Sequence, residues 1–541
     1  MAKQTISDQL KVESLDWAIA HIRKFGDTDI FPVPFEYEAI QISWNGIRNE
    51  LTHINIKEYE GRPFQRILIP KPQGGFRVAI QLDPIDALLY TALVYEAAQL
   101  IEQSRAPKES KIACSYRVEI DSSGQLFRKD SGWNDFHERS ASLAESGQYS
   151  YVITADISDF YNQISHHRVR NALELSGVLS SRAENFENFL MNLTRGQSRG
   201  IPVGPSASIL LAEACLNDVD SFLLRKGYTH VRYVDDFRIF CPNLTKAYKA
   251  LHDLSEYLYT AHRLTLQAGK TEIKPLERFV AHELFDPERL EEQTKANKID
   301  SLLKAFSVER EEVFQVFLRY SNPLDLESLS LQDQEISKEE VNKIARENIL
   351  ELFTSCLTEN ILHLGLARYL LRRALLLRTN VLHESVLNNL DKLAPVMRDA
   401  MIYLSKTTTS SNSPYVGERL IEFYRKSEIS FLPYMGLWLS YILANHFASD
   451  FERDINNICD SLRIQLGTRP FALLARKLKY LDWVREQKET WQNNNPWDKR
   501  AIIWSASVLS EDERRYWLAR VQNAGDLLDK AIATAALSIK I

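Results

Sequence analysis

The segment Tyr233-Val234-Asp235-Asp236 constrains this chain more than any other stretch. Apolar residues alternate with polar ones on both sides of it, which predicts two strands joined by a tight turn. Two adjacent carboxylates at a turn repel each other, and a divalent cation with oxygen ligands removes that cost. The pattern predicts a β-hairpin that presents Asp235 and Asp236 to a metal ion. A solvated turn is the competing interpretation.

A third carboxylate ends another predicted strand. The run Tyr151 to Ala155 contains β-branched residues and leads directly into Asp156. Carboxylates from separate strands are the ligands that a two-metal nucleotidyl-transfer site requires: one cation activates the attacking hydroxyl, and the other stabilises the leaving pyrophosphate. We therefore predict that Asp156, Asp235 and Asp236 hold two Mg²⁺ ions, with Mn²⁺ as the alternative ion.

A segment rich in glycine and proline, Arg199 to Ser206, lies in the sequence between the strand that ends at Asp156 and the hairpin that carries Asp235. Glycine and proline allow the backbone to approach a base pair or a sugar closely. The apolar run that follows, Ile209 to Cys215, predicts a helix.

In this order, the three segments resemble those of a reverse transcriptase. Asp156 matches the first catalytic aspartate of that family, and Tyr233 to Asp236 match its Tyr-x-Asp-Asp motif. Gly200, Pro202 and Gly204 match its Gly-x-Pro-x-Gly motif. The resemblance implies a fingers and palm core, divalent metal ions, and a nucleotide-binding role for the last three residues.

Four further residues take their expected roles from this resemblance. The segment Arg66 to Arg77 is similar to the fingers hairpin, where Lys71 and Arg77 bind the triphosphate. Tyr161 stands where the family carries an aromatic gate against the 2′-hydroxyl, which implies deoxynucleoside triphosphates (dNTPs) as substrates. Lys270 is the expected general acid that protonates pyrophosphate.

Two departures from the family pattern are visible. Val203 stands where a glutamine is common, and the region Phe279 to Phe285 shows no Leu-Gly primer-grip element. These departures argue against processive copying of a long RNA template.

Composition and length fit a protein of two domains. The chain has 541 residues and a formal net charge of −6, so nucleic-acid contacts require a local basic groove. We predict an α+β fold, with fingers and palm over residues 1–288 and an all-helical domain over 289–541. Five cysteines without Cys-x-x-Cys spacing predict a reducing cytoplasm, and no apolar run is long enough to span a membrane.

The C-terminal half shows helical periodicity over Ile361 to Leu377, Leu387 to Leu404 and Pro470 to Trp483. A bundle and an irregular solenoid of helix pairs both remain open. Two basic groups could follow a phosphate backbone or form a solvated helix face. Their members are Arg368, Arg372, Arg373 and Arg378, then Arg469, Arg476, Lys477 and Lys479.

A reverse-transcriptase core without a thumb, followed by helices, resembles the bacterial abortive-infection and defence-associated reverse transcriptases. That resemblance implies an antiphage DNA polymerase that is template-independent, homo-oligomeric and primed from a tyrosine of the protein. Tyr37 and Tyr59 are the candidate primers. One alternative is a conventional RNA-templated reverse transcriptase, of a retroelement or copying a partner non-coding RNA. Another is an effector whose helical half binds a phage protein or cleaves RNA, since Arg378 to His383 fit a loose Arg-x4-His pattern.

Overall fold

The computed structural model describes residues 8–72, 74–128, 132–284, 343, 345–447, 462 and 466–539. The predicted boundary at residues 288/289 lies outside these ranges.

Six described strands form two antiparallel sheets. The smaller sheet is a hairpin of β1 (Gln65–Pro70) and β2 (Phe76–Gln81), whose turn uses Gly74 and Gly75 at φ values of +84° and +77°. The larger sheet contains β3 (Tyr151–Asp156), β4 (Thr229–Tyr233), β5 (Asp236–Cys241) and β6 (Glu272–Pro275), in the order β4-β5-β3-β6.

Helices of the N-terminal part cover these sheets. They are Val12–Phe25, Glu36–Ile42, Trp44–Thr52, Pro84–Ser104, Trp133–Glu145, Phe160–Gln163, His166–Leu175, Ser180–Leu193, Ser206–Arg225, Leu244–Tyr257 and Leu276–Phe279, with short helical turns at Lys108–Ser110, Leu258–His262, Ala268–Lys270 and Val280–Leu284.

The larger sheet is buried on both faces, because successive side chains of a strand point to opposite sides. Ile153 and Ile239 join the main core, whereas Val152 and Phe240 join a smaller core with Phe136. The sequence predicted the β4–β5 hairpin correctly. Its alternating polar residues are nevertheless also buried: Arg232 is 0% exposed and Arg238 is 8% exposed.

The C-terminal part is all-helical in the described residues, as predicted. Its helices are Glu351–Thr358, Leu364–Leu376, His383–Leu387, Met397–Thr407, Ser413–Lys426, Pro433–Ile442, Thr468–Lys477, Leu481–Thr490, Pro496–Ser505, Glu511–Ala524 and Leu527–Ser538, with short helical turns at Ala345–Leu350, Ala394–Val396, Leu443–Phe447, Trp491–Asn493 and Ala506–Val508.

Six of these helices stack in a row, each packed against the next. The row consists of Leu364–Leu376, Met397–Thr407, Pro433–Ile442, Thr468–Lys477, Pro496–Ser505 and Leu527–Ser538. Successive members begin at residues 364, 397, 433, 468, 496 and 527, so the spacing varies between 28 and 36 residues. This arrangement favours the irregular solenoid over the bundle.

Two helix predictions were wrong in extent. The segment Leu387 to Leu404 is interrupted before Met397, because Pro395 cannot continue a helix from the preceding turn. The segment Pro470 to Trp483 is divided at Lys479, which has a φ of +55°. The spacing of hydrophobic residues alone did not predict either break.

The stacked helices dock on the N-terminal part through buried polar contacts. Arg469 donates to both carboxylate oxygens of Glu36, at 2.6 and 2.8 Å, and its guanidinium lies over the ring of Trp497. Arg500 pairs with Asp83 at 2.5 Å, and both side chains are fully buried. The two halves therefore share one core rather than meeting at a solvated surface.

Several arginines of the two predicted basic groups make contacts inside the protein. Arg469 is buried against Glu36, and Arg476 lies over the ring of Trp504. Arg368 and Arg372 pair with Asp399 at 3.5 and 2.9 Å. For Arg372, Arg469 and Arg476, the interpretation as a solvated helix face is wrong, because packing of the stacked helices covers these positions. The Arg368 side chain is 45% exposed, so that interpretation holds for it.

Replacing Arg469 by methionine would leave Glu36 as a buried carboxylate without its hydrogen-bonded counter-charge. We expect Arg469→Met to lower the free energy of unfolding by about 3–5 kcal/mol. Chemical denaturation followed by tryptophan fluorescence measures this change.

Arg485→Met is the matched control, because the pair of Arg485 with Glu513 leaves the arginine side chain 48% exposed. Its expected cost is below about 1 kcal/mol. Equal effects of the two substitutions would contradict a stabilising role for the buried pair.

Candidate active site

Three acidic residues meet at one end of the larger sheet. In the antiparallel pairing of β3 with β5, Asp156 lies directly opposite Asp236. Asp235 occupies the turn between β4 and β5, immediately before Asp236. Facing residues of antiparallel strands have Cα atoms about 4.5–5.5 Å apart, so strand pairing alone forces two of the carboxylates together.

The proximity of these carboxylates is recorded in their pKa values. Burial raises the pKa of Asp235 to about 7, and the charges of Asp156 and Asp236 contribute to the increase. Burial and Asp156 likewise raise the pKa of Asp236 to about 6. The ordinary value for both groups is 3.8. The nearby Lys270 only partly offsets these raised pKa values, and a divalent cation would supply the further positive charge.

The donor set fits a hard divalent cation, because it offers only carboxylate oxygens. The carboxylate oxygens of the three aspartates lie farther apart than the ligand atoms of a closed metal site. Within the described ranges, only His252, Asp253 and Glu256 bring their ligand atoms all within 4.8 Å of one another. His252 and Glu256 are exposed on a helix surface, where such groups are common without an ion.

Lys270 reaches the site from a segment that lies beside the end of β3. The backbone N–H of Gln267 donates to the Asp156 carbonyl at 2.8 Å, which fixes this segment beside the strand end. Lys270 Nζ lies 3.0 Å from Asp156 Oδ2. Burial alone would lower the pKa of Lys270, but the ion pair with Asp156 raises it above its ordinary value.

Tyr161 and the glycine-rich loop are joined by backbone hydrogen bonds. The N–H of Ile201 donates to the Tyr161 carbonyl at 3.0 Å, and the N–H of Gly200 donates to the Ile164 carbonyl at 2.8 Å. Gly200 has a φ of +91°, where a side chain would be strained. Burial raises the pKa of the Tyr161 phenol, and the charge of Asp235 adds to the effect.

Gly204 brings the loop against the N-terminal segment. A Cβ at this position would lie 2.3 Å from Thr28 Oγ1, so only glycine fits. The neighbouring Val203 carbonyl accepts from the N–H of Ile80 in β2 at 3.4 Å, while Pro202 is buried. The loop therefore joins the palm to the fingers hairpin.

Lys71 and Arg77 lie on the fingers hairpin with exposed side chains. The structure does not place them in contact with the three aspartates. Arg77 lies close to Asp29 instead, together with Arg368 and Arg398 of the helical half. Burial raises the pKa of Asp29, and these three arginines oppose that effect.

The two candidate priming tyrosines are packing residues in this structure. Tyr37 is 5% exposed, and its hydroxyl is buried among acidic residues, which together with burial raises its pKa well above the ordinary range. Tyr59 stacks on Phe189, and its hydroxyl donates to Asp86 at 2.6 Å. Neither hydroxyl is available as placed, because the core of the fingers encloses the first and a carboxylate holds the second.

Burial of His383 argues against a ribonuclease role for the Arg378 to His383 pattern. His383 is 6% exposed, its ring nitrogen lies 2.7 Å from Thr407 Oγ1, and burial lowers its pKa to about 4. A histidine in this state is a poor acid or base near neutral pH.

Sequence reasoning missed the residues that hold the Val234 turn. Val234 has a φ of +54°, which costs a β-branched residue about 1–3 kcal/mol. The buried residues Ser115 and Arg232 bond its backbone at 2.9 Å each. The one available signal was an arginine in the middle of a predicted core strand.

Residues 69–291 match the family described as reverse transcriptase (RNA-dependent DNA polymerase). The chain contains a reverse-transcriptase domain. The domain makes the protein a nucleotidyltransferase of the RNA-directed DNA polymerase type. Domains of this family use divalent metal ions and bind nucleotides and nucleic acid.

Solved telomerase structures show a distant likeness. Telomerase from Candida albicans in complex with a fragment of telomeric RNA has 14% identity and a TM-score of 0.30, over 79% of this chain and 71% of that chain. Apo telomerase from Candida tropicalis has 12% identity and a TM-score of 0.33, over 77% and 69%. Similarity this low carries no functional argument. No curated protein matches the chain significantly. Within the described ranges, no helix has the length and apolar character needed to cross a bilayer.

Asp235→Asn tests the electrostatic state of the site. Because the folded-state pKa of about 7 exceeds the ordinary 3.8, the stabilising contribution of this carboxyl is complete below about pH 4 and is lost as pH rises through 7. Without divalent ions, we expect the variant to be more stable than wild type at pH 8 by about 1–3 kcal/mol.

Chemical denaturation in a chelating buffer from pH 4 to pH 8 measures this difference. It should shrink toward zero near pH 4, where both proteins carry an uncharged group at position 235. A difference that does not change with pH would contradict the repulsion argument.

Proposed function

We propose that the protein is a DNA polymerase that adds dNTPs by two-metal catalysis, with Mg²⁺ held by Asp156, Asp235 and Asp236. The observation that carries the proposal is the placement of Asp156 opposite Asp236, with Asp235 in the adjoining turn. When bound, the ions would activate the attacking hydroxyl and stabilise the departing pyrophosphate. The three side chains orient that chemistry and favour hard divalent cations, Mg²⁺ and Mn²⁺ among them, by offering only oxygen.

Four surrounding residues would contact different parts of the nucleotide. Lys71 and Arg77 are exposed on a hairpin, from which they would contact a triphosphate as it enters. The Tyr161 backbone is bonded to Ile201 of the glycine-rich loop, and its ring would block a 2′-hydroxyl. Lys270 now neutralises Asp156. Metal ions on that carboxylate would release the ammonium group to donate a proton to pyrophosphate.

The biological role that we propose is antiphage defence, with DNA synthesis that is template-independent and primed on the protein. The support is the resemblance described above together with the helical half, which docks on the fingers through Glu36 and Asp83. Homo-oligomerisation and a cytoplasmic location belong to the same proposal. Because Tyr37 and Tyr59 are enclosed, we leave the priming tyrosine unassigned.

Purified protein incubated with Mg²⁺ and labelled dNTPs, without added nucleic acid, tests the proposal. We expect label to become covalently attached to the protein, and Asp156→Asn to reduce incorporation by roughly 10³-fold because a metal ligand is lost. Denaturing gel electrophoresis before and after nuclease digestion measures both.

Asp159→Asn is the control for that substitution, because Asp159 is an exposed turn residue with a φ of +49°, which asparagine tolerates. It should retain wild-type incorporation. Strict dependence on added RNA and primer would instead support the conventional reverse transcriptase. Phage protection that survives Asp235→Ala would favour the effector alternative.

Tyr161→Ala tests the sugar gate. Removing the ring should let ribonucleotides enter, so the ratio of kcat/KM for a dNTP to that for the matching ribonucleotide should fall by at least about tenfold. Steady-state incorporation of each nucleotide gives the ratio. Tyr161→Phe keeps the ring and should keep the discrimination; a loss in both variants would exclude a steric gate.

A further inference from the structure

The turn that carries Asp235 is held by side chains in addition to the strand pair of Tyr233 with Asp236 that closes it. Val234 is in the left-handed region, with a φ of +54°. Its N–H donates to Ser115 Oγ at 2.9 Å, and its carbonyl accepts from Arg232 Nη1 at 2.9 Å. Both backbone polar groups of this strained residue therefore depend on side chains from outside the turn.

The hydroxyl of Ser115 has a fixed polarity. Because the N–H of Val234 can only donate, Ser115 Oγ accepts there and directs its own proton to Glu213 Oε1 at 2.5 Å. Ser115 and Glu213 are both 0% exposed, so bulk water cannot replace either partner. An alanine at position 115 would leave a buried N–H and a buried carboxylate oxygen each short of one hydrogen bond.

Arg232 closes the network from the other side. Its guanidinium contacts Glu213 at 3.0 Å and Asp220 at 2.6 Å, and all three side chains are almost fully buried. Arg105 contributes a second cation, at 2.8 Å from Glu213. Arg105 also pairs with Glu102 at 3.3 Å. This pairing of opposite charges allows the network to lie behind the turn without solvent.

We propose that Ser115, Glu213 and Arg232 are positioning residues for nucleotide addition. They hold Val234 in its left-handed conformation and so direct the Asp235 carboxylate toward the ions shared with the other two aspartates. The inference rests on the proposed polymerase function. It assigns a role to buried residues that contact neither nucleotide nor metal.

Ser115→Ala is the primary test. We expect kcat for dNTP incorporation to fall about 10- to 100-fold, because a carboxylate displaced by about 1 Å loses its productive geometry. KM for the dNTP should change by less than about threefold, since the variant leaves the nucleotide contacts in place. Electron paramagnetic resonance of Mn²⁺, without nucleotide, should show binding weakened by about tenfold.

A second substitution separates positioning from general stability. Glycine adopts a positive φ without strain, so Val234→Gly removes the need to force the turn. In the Val234→Gly background, Ser115→Ala should cost less than about threefold in kcat. Ser115→Cys, with its weak acceptor, should show an intermediate loss and serves if the alanine variant does not fold.

Ser140→Ala is the matched control, because Ser140 is an equally buried serine whose hydroxyl bonds only within its own helix, to Phe136. It should leave kcat and Mn²⁺ binding unchanged. The inference is overturned if Ser115→Ala matches wild type in both readouts, or if its cost is the same with valine and with glycine at position 234. A wild-type protein that binds no Mn²⁺ overturns the proposed function as well.

Discussion

The pairing of β3 with β5 is the constraint on which the site depends. Its register places Asp156 against Asp236, although like charges that face each other across a sheet are destabilising. Burial raises the pKa values of Asp235 and Asp236, and the charge of Asp156 raises them further. The strands hold this arrangement because both faces of the sheet are packed, so a slip by one residue would exchange the side chains of two separate cores.

The palm also depends on elements that are distant in sequence. The glycine-rich loop bonds to the Tyr161 segment on one side and to β2 on the other, so backbone hydrogen bonds connect all three. The helical half is also fixed to the N-terminal part by buried contacts. Arg469 and Arg500 insert into the fingers and meet Glu36 and Asp83 without solvent. A domain anchored in this way acts as part of the polymerase framework rather than as a tethered appendage.

Local patterns predicted the parts of this structure that local forces determine. Alternation gave the hairpin around Val234, and the glycine-rich segment did precede a helix, Ser206–Arg225. Prediction failed where packing overrode the pattern. Arg232 reads as a polar residue on a half-exposed strand, yet helices cover both faces of its sheet and bury it. Arg469 reads as one of a basic group, yet the carboxylate that it pairs with belongs to a helix more than four hundred residues away.

The sequence by itself determined the chemical identity of the site: three carboxylates, a glycine-rich loop and a lysine in an order that specifies nucleotidyl transfer. These are properties of residue type and spacing. The tertiary structure alone decided which groups surround them. The bonds of Ser115 and Arg232 to Val234, the enclosure of Tyr37, and the docking of the stacked helices all join segments whose separation along the chain carries no information about distance. Such contacts depend on how buried surfaces fit, which only the folded chain defines.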